Sequence, residues 1–125
     1  MDFSYTEEQQ MLQESVQKFV QKNYEFATRA KIIASENGYS NENWELFAEL
    51  GWLTVPFCEE DGGFGGSAVD LTVMMDEFGK ANLVEPFTPT AILGGGLVSA
   101  LGEKGQKTEL LGPLMEGKLQ LACAY

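Results

Sequence analysis

Apolar residues recur at helical spacing from the start of the chain. Thr6 and Gln9 stand at the spacing of a capping box, and the apolar positions that follow are Leu12, Val16, Phe19 and Val20. A second helix is predicted over about residues 24–36, before an Asn-Gly pair that would end it. The first third of the chain therefore reads as two helices.

A glycine-rich segment interrupts this helical pattern. The helix predicted over 41–50 carries Trp44 and Phe47 on one face, and Gly51 stands where a left-handed residue would close it. Residues 51–66 then combine a proline, three consecutive acids and paired glycines around Phe64. Such a mixture can neither continue a helix nor alternate as a strand, so it predicts an ordered loop.

Helical spacing returns after the loop. Ser67 and Asp70 stand at capping-box spacing before a third apolar stripe, and two further helices are predicted over 90–101 and 103–116. The first of these contains Gly94, Gly95 and Gly96, which would cost a helix roughly 2 to 3 kcal/mol relative to alanine. Close approach of another helix or of a ligand would compensate for that cost.

The last eight residues have a different pattern. Residues 118–125 are mostly apolar and read as a strand, but no partner strand is predicted elsewhere in the chain. The predicted fold is therefore all-α. A bundle of about six helices over 1–117 would end in the first strand of a truncated β-domain at 118–125.

Charge and composition exclude several function classes. The formal net charge of −11 disfavours nucleic acid and anionic membranes as partners, and the absence of histidine removes the usual hydrolase triads. Cys58 and Cys123 lack zinc-site spacing, so they are expected to be partly buried free thiols, and no metal site is predicted. No targeting signal or membrane-length apolar run is visible, which favours a cytoplasmic location.

Two motifs could be mistaken for sites. The Gly62–Gly66 segment follows no strand and lacks the order of a phosphate-binding loop, so a structural turn is the better interpretation. Glu59, Glu60 and Asp61 are adjacent carboxylates without the ligand order of a calcium loop, and a solvated surface or a helix cap explains them.

A series of short phrases carries a resemblance to a known family. They are the opening residues 1–10, Leu50-Gly51-Trp52, Val55-Pro56, the acidic glycine loop 59–66, Asp76-Glu77-Phe78-Gly79, and Gly102 with Gln106 and Lys107. In this order, over nearly the whole chain, the phrases resemble the amino-terminal part of the acyl-CoA dehydrogenases.

The resemblance implies a function and places some of its residues here. Acyl-CoA dehydrogenases use FAD to remove hydrogen from an acyl-CoA thioester, and their catalytic glutamate would lie beyond residue 125. No catalytic residue is therefore assigned, and the chain alone is expected to be inactive. Glu85, Pro89, Thr90 and Leu93 would wall the acyl channel, while Cys123, Ala124 and Tyr125 would begin the flavin-contacting segment.

Partners and alternatives follow from the same resemblance. Acyl-CoA would be the substrate, an electron-transfer flavoprotein or similar carrier the acceptor, and the full-length protein a homo- or hetero-oligomer. Glu85 near the channel would suit a polar or bulky acyl group, although a solvent-exposed carboxylate at a helix end is the simpler interpretation. A non-catalytic helical module, a subunit without its own site, an acyl-CoA oxidase and a flavin monooxygenase remain alternatives.

Overall fold

The computed structural model describes residues 3–124, and every regular element among them is a helix or a helical turn. The α-helices are α1 (Glu7–Asn23), α2 (Phe26–Ile33), α3 (Asn41–Glu49), α4 (Ala68–Lys80), α5 (Gly96–Leu101) and α6 (Lys104–Met115). A π-helix, Thr88–Gly95, runs directly into α5, and 3₁₀ turns lie at Trp52–Thr54 and Glu59–Asp61. The predicted all-α class is confirmed.

Local capping signals define several helix ends, and those of Thr6 and Gly51 were predicted from the sequence. Gln9 N donates to Thr6 Oγ1 at 3.2 Å and Thr6 N donates to Gln9 Oε1 at 3.0 Å, which closes the capping box of α1. Glu103 and Gln106 form the equivalent box at the start of α6. Gly51 has the left-handed φ of 77° that ends α3, a conformation that only glycine adopts at little cost.

The chain divides into two compact units. The first comprises the chain up to Tyr39 together with Ala68–Val84. Here α1 packs on α4, and the buried residues include Val16, Phe19, Val73, Met74 and Phe78. Helix α2 buries no residue, and its Phe26 is exposed.

The second unit comprises Ser40–Ser67 and the chain from Glu85 onward. Tilted rings pack Phe47 against Trp44, with centroids 6.0 Å apart, and against Trp52, with centroids 5.0 Å apart. A neighbouring cluster joins Phe57 to Leu111 and Leu114 of α6. The first half of the glycine-rich loop therefore packs against α3 through Trp52 and against α6 through Phe57.

Three predictions about elements need correction. Helix α2 covers Phe26–Ile33 rather than 24–36. The helix predicted from residue 90 begins at Thr88 and is a π-helix over its first eight residues. The strand predicted at 118–125 does not form among residues 118–124, because strand pairing needs a partner and no strand exists elsewhere in residues 3–124.

Candidate functional site

The glycine-rich loop folds back on itself through its own backbone. Phe64 N donates to Thr54 O at 2.9 Å, Gly65 N to Phe57 O at 2.7 Å, and Gly66 N to Val55 O at 3.0 Å. These amides are committed to carbonyls inside the loop, so they are not directed at an external phosphate. The predicted structural turn is therefore what the loop forms.

Two glycines in this loop permit the close return of the chain. A Cβ added at Gly63 would lie 2.6 Å from Phe57 Cβ, and one added at Gly66 would lie 2.6 Å from Val55 Cγ1. Real Cβ atoms do not approach other atoms so closely, so any side chain here would force the buried Val55 and Phe57 to move.

Asp61 links this loop to two helices. Its Oδ2 accepts hydrogen bonds from Ser99 Oγ of α5 at 3.1 Å and from Lys107 Nζ of α6 at 3.4 Å. Partial burial raises the pKa of Asp61, but hydrogen bonds from Cys58, Ser99 and Lys107 outweigh this effect and hold the pKa below its ordinary value. The interpretation of Asp61 as a solvated carboxylate is wrong, since its side chain is only 11% exposed.

A polar cavity of about 530 Å³ lies beside this ion pair. Its lining residues are Glu60, Asp61, Gly102, Lys104, Lys107, Thr108 and Gly112. Two of the charged residues that line this cavity, Asp61 and Lys107, already pair with each other. The amino terminus of α6 is closed by its own capping box. The cluster therefore joins the loop to α5 and α6, and the sequence pattern alone did not identify it.

The π-helix and α5 present an apolar surface to solvent. Leu93, Leu97 and Leu101 are exposed by 50%, 54% and 78%, and they recur every fourth residue. Pro89 is also exposed and stands one step earlier in the same series. We call these four residues the apolar face; Thr90, Ala91, Gly94 and Gly95 of the same π-helix are buried.

The predicted channel residues divide between these two environments. Pro89 and Leu93 lie on the apolar face. Thr90 is buried, and its Oγ1 donates to Leu121 O at 3.2 Å. Glu85 is also buried, with 5% exposure, and accepts a hydrogen bond from Asn43 Nδ2 at 2.9 Å, so the expectation that it lies in solvent is wrong.

Two of the three helix glycines, Gly94 and Gly95, are compensated by close packing of other parts of the chain. A Cβ added at Gly94 would lie 2.6 Å from Leu121 Cβ, and one added at Gly95 would lie 2.6 Å from Phe57 Cζ. Nothing lies within 4 Å of a Cβ added at Gly96. The compensation expected from the sequence is thus present at two of the three positions, but a residue of the non-helical segment after α6 and a loop residue supply it rather than another helix.

The predicted flavin-contacting residues lie at the end of the described chain. Cys123 is half-buried and Ala124 is exposed, and both continue the non-helical segment after α6. Tyr125 lies outside the described residues. Of the two free thiols, Cys123 is partly buried as expected, whereas Cys58 is exposed, which corrects the prediction for that residue.

Among residues 3–124, no three His, Cys, Asp or Glu side chains cluster in a way that could hold a metal ion. In the same part of the chain, no helix combines the length and apolar character needed to cross a membrane.

Comparisons with known proteins agree with this architecture. The family model described as "Acyl-CoA dehydrogenase, N-terminal domain" matches residues 6–118. The probable acyl-CoA dehydrogenase YngJ of Bacillus subtilis is 32% identical over 119 residues, covering 94% of this chain and 31% of that protein. The acyl-CoA dehydrogenase IpdE2 of Mycolicibacterium smegmatis is 34% identical over 113 residues, covering 90% of this chain and 35% of that protein.

Solved structures share the fold. The ChsE4–ChsE5 complex from Mycobacterium tuberculosis matches 98% of this chain and 34% of that chain, with a TM-score of 0.88 at 20% identity. A structure titled for the electron transferring flavoprotein of Acidaminococcus fermentans matches 96% of this chain and 32% of that chain, with a TM-score of 0.78 at 23% identity. The chain spans about a third of the length of these relatives. It belongs to the acyl-CoA dehydrogenase family, whose amino-terminal helical domain it forms.

Proposed function

We propose that the full-length protein is an FAD-dependent acyl-CoA dehydrogenase that removes hydrogen from the α and β carbons of an acyl-CoA thioester. The apolar face carries this proposal. Pro89, Leu93 and Leu97 expose apolar side chains on a helical domain of this family, and an acyl chain is a ligand that such a surface can desolvate. The reacting carboxylate would belong to a part of the protein beyond residue 125.

Within this function, Pro89 and Leu93 would touch the acyl chain. Thr90 and Glu85 would support the channel wall from the interior, because both side chains are buried. Thr90 bonds to Leu121 O, and Glu85 bonds to Asn43. The buried Asn43–Glu85 bond joins α3 to the segment that precedes the π-helix, and it would fix the point from which the channel wall begins. A polar acyl group is not needed to explain Glu85.

Within this proposal, the end of the described chain would contact the uncharged flavin ring of FAD and not its pyrophosphate. Residues 119–124 carry no charge, and Ala122 and Ala124 present small exposed side chains beside the half-buried Cys123, a surface that a flat ring can approach. When bound, FAD would accept the hydride from the β carbon. The net charge of −11 opposes its pyrophosphate and that of CoA, so other parts of the protein would bind those groups.

An electron-transfer flavoprotein or a similar carrier would receive the electrons, and the full-length protein would be an oligomer. Two solved structures similar in fold lend support, since one is titled a complex and the other an electron transferring flavoprotein. Purified full-length protein should oxidise acyl-CoA with an artificial electron acceptor and should reduce no acceptor without acyl-CoA. Steady oxygen consumption in place of acceptor reduction would favour an oxidase instead.

Leu93→Trp tests the channel wall in the full-length protein. The larger ring should obstruct a channel that admits the acyl tail, at about 1 to 3 kcal/mol, or roughly tenfold to a hundredfold in kcat/KM. The loss should fall on long or bulky acyl-CoAs and spare short ones, as measured across a chain-length series.

Leu50→Trp is the matched control, because Leu50 is 44% exposed but follows α3 instead of lying on the apolar face. It should leave the chain-length profile unchanged. A uniform loss for every substrate in Leu93→Trp, with lowered thermal stability, would place Leu93 in a structural role and the channel elsewhere.

A further inference from the structure

The π-helix presents different residues on its two sides. Its solvent side carries Pro89 and Leu93 of the apolar face, whereas Thr90 and Gly94 are buried. Thr90 and Gly94 stand one residue after Pro89 and Leu93, so each outward residue is followed directly by an inward one. A displacement of this helix would therefore move both sides together.

The buried side contacts the non-helical segment that follows α6. Thr90 Oγ1 donates to Leu121 O at 3.2 Å, and Thr90 itself is 1% exposed. At Gly94 an added Cβ would lie 2.6 Å from Leu121 Cβ and 3.4 Å from Leu121 C. Leu121 is thus held by one hydrogen bond and by a close contact that only glycine permits.

Leu121 lies two residues before Cys123, where the proposed flavin contacts begin. Consecutive Cα atoms are about 3.8 Å apart, so a shift imposed at Leu121 reaches Cys123 with little chain to absorb it. We propose that Thr90 and Gly94 are positioning residues: they hold residues 119–124 on the π-helix and so set where the flavin ring lies relative to the acyl group that contacts Pro89 and Leu93. This inference rests on the proposed function.

The test compares two glycines in the continuous helix 88–101 of the full-length protein. Gly94→Ala and Gly96→Ala make the same change of residue, but only the Cβ at position 94 collides with Leu121, while nothing lies within 4 Å of that at 96. The first readout is the Kd for FAD, titrated into apoprotein, together with the absorption spectrum of the bound flavin. The second is the rate at which a thiol reagent labels Cys123 in the apoprotein, with exposed Cys58 replaced by Ser.

Gly94→Ala should raise the Kd for FAD about tenfold or more, because overpacking of a filled site displaces its neighbours. It should also shift the flavin spectrum and accelerate labelling of Cys123. Gly96→Ala should leave all three at the wild-type values. Equal behaviour of the two variants in Cys123 labelling and in FAD binding would overturn the positioning role.

Thr90 supplies a second, gentler test should Gly94→Ala fail to fold. Thr90→Val keeps the shape of the side chain but removes the donor to Leu121 O, so Cys123 labelling should accelerate and FAD binding should weaken. Thr90→Ser keeps the hydroxyl and should restore both. A Val variant that matches wild type would contradict the inference.

Failure of the proposed function has a different signature. Wild-type full-length protein that binds no FAD would overturn that function and the flavin part of this inference. The holding of Leu121 would then still be decided by Cys123 labelling in Gly94→Ala against Gly96→Ala. Wild-type protein that binds FAD, with both alanine variants unchanged, would overturn the positioning role alone.

Discussion

Glu77 of α4 is a buried carboxylate held by neutral and charged donors. Its side chain is 7% exposed, and its Oε1 accepts hydrogen bonds from Gln13 Nε2 and Gln17 Nε2 at 3.0 Å each and from Lys80 Nζ at 2.9 Å. Burial raises the pKa of Glu77, but these three hydrogen bonds and the Lys80 charge together hold the pKa below its ordinary value of 4.5. The carboxylate therefore fastens α1 to α4 in its charged form.

The lowered pKa predicts how stability depends on pH. A group whose pKa is lower in the folded than in the unfolded chain stabilises the fold above its unfolded pKa and loses this effect as the pH falls through the folded value. Glu77→Gln should reduce the free energy of unfolding at pH 7 by about 1 to 3 kcal/mol, as expected for hydrogen bonds to a buried charge. The difference from wild type should shrink below pH 4.5 and vanish below the folded pKa.

Glu14→Gln is the matched control for this experiment. Glu14 lies on the same helix as Gln13, but its side chain is 66% exposed and its distance to Lys18 is 4.0 Å. Exposed pairs of this kind contribute about 0 to 1 kcal/mol. Denaturation curves at pH 7 and pH 3 should therefore separate Glu77→Gln from Glu14→Gln, and parallel pH profiles of the two variants would contradict the role assigned to Glu77.

At the scale of elements, the loop over 51–66 can fold back on itself because its glycines leave room for the neighbouring side chains. Gly66→Ala should destabilise the fold by about 1 to 3 kcal/mol, because its Cβ would lie 2.6 Å from Val55 Cγ1 and from Val55 O. Gly79→Ala, in α4, meets nothing within 4 Å and should stabilise the helix by roughly 0.5 to 1 kcal/mol. Urea denaturation of both variants measures the two changes in the free energy of unfolding, which should have opposite signs. Equal destabilisation by both variants would show that the contact with Val55 does not cause the loss in Gly66→Ala.

Elements governed by neighbours in the sequence could be predicted from it. The capping box of Thr6 and Gln9 and the left-handed Gly51 depend on residues within three or four positions, and both form as expected. The acyl-CoA dehydrogenase phrases likewise identified the family, because their order over most of the chain is specific.

Features that depend on distant residues could not be predicted in this way. The bonds of Asp61 to Ser99 and Lys107 span 38 and 46 positions, so nothing near the three acids indicated that one of them is paired. The buried Glu85 has its partner Asn43 at a distance of 42 positions. The π-helix was not predicted either. Over only eight residues, the spacing of apolar positions does not distinguish a π-helix from an α-helix.

At the scale of the whole molecule, net charge sets what the 125-residue chain can bind alone. Nineteen acidic residues against eight basic ones oppose the polyanions FAD and CoA. We expect the purified chain by itself to lose added FAD during desalting and to leave acyl-CoA unoxidised, as followed by flavin absorbance and acceptor reduction. Stoichiometric yellow flavin retained after desalting would contradict this expectation.

The order of the helices along the chain has a consequence for folding during translation. Helix α1 ends at Asn23, but its packing partner α4 begins only at Ala68. At about 5 to 20 residues per second, a ribosome needs roughly 2 to 9 seconds to translate residues 24–67. During that interval the nascent chain carries Val16 and Phe19 without the surface that later covers them, so the emerging first helix offers a binding site for the chaperones that meet new polypeptides at the exit tunnel.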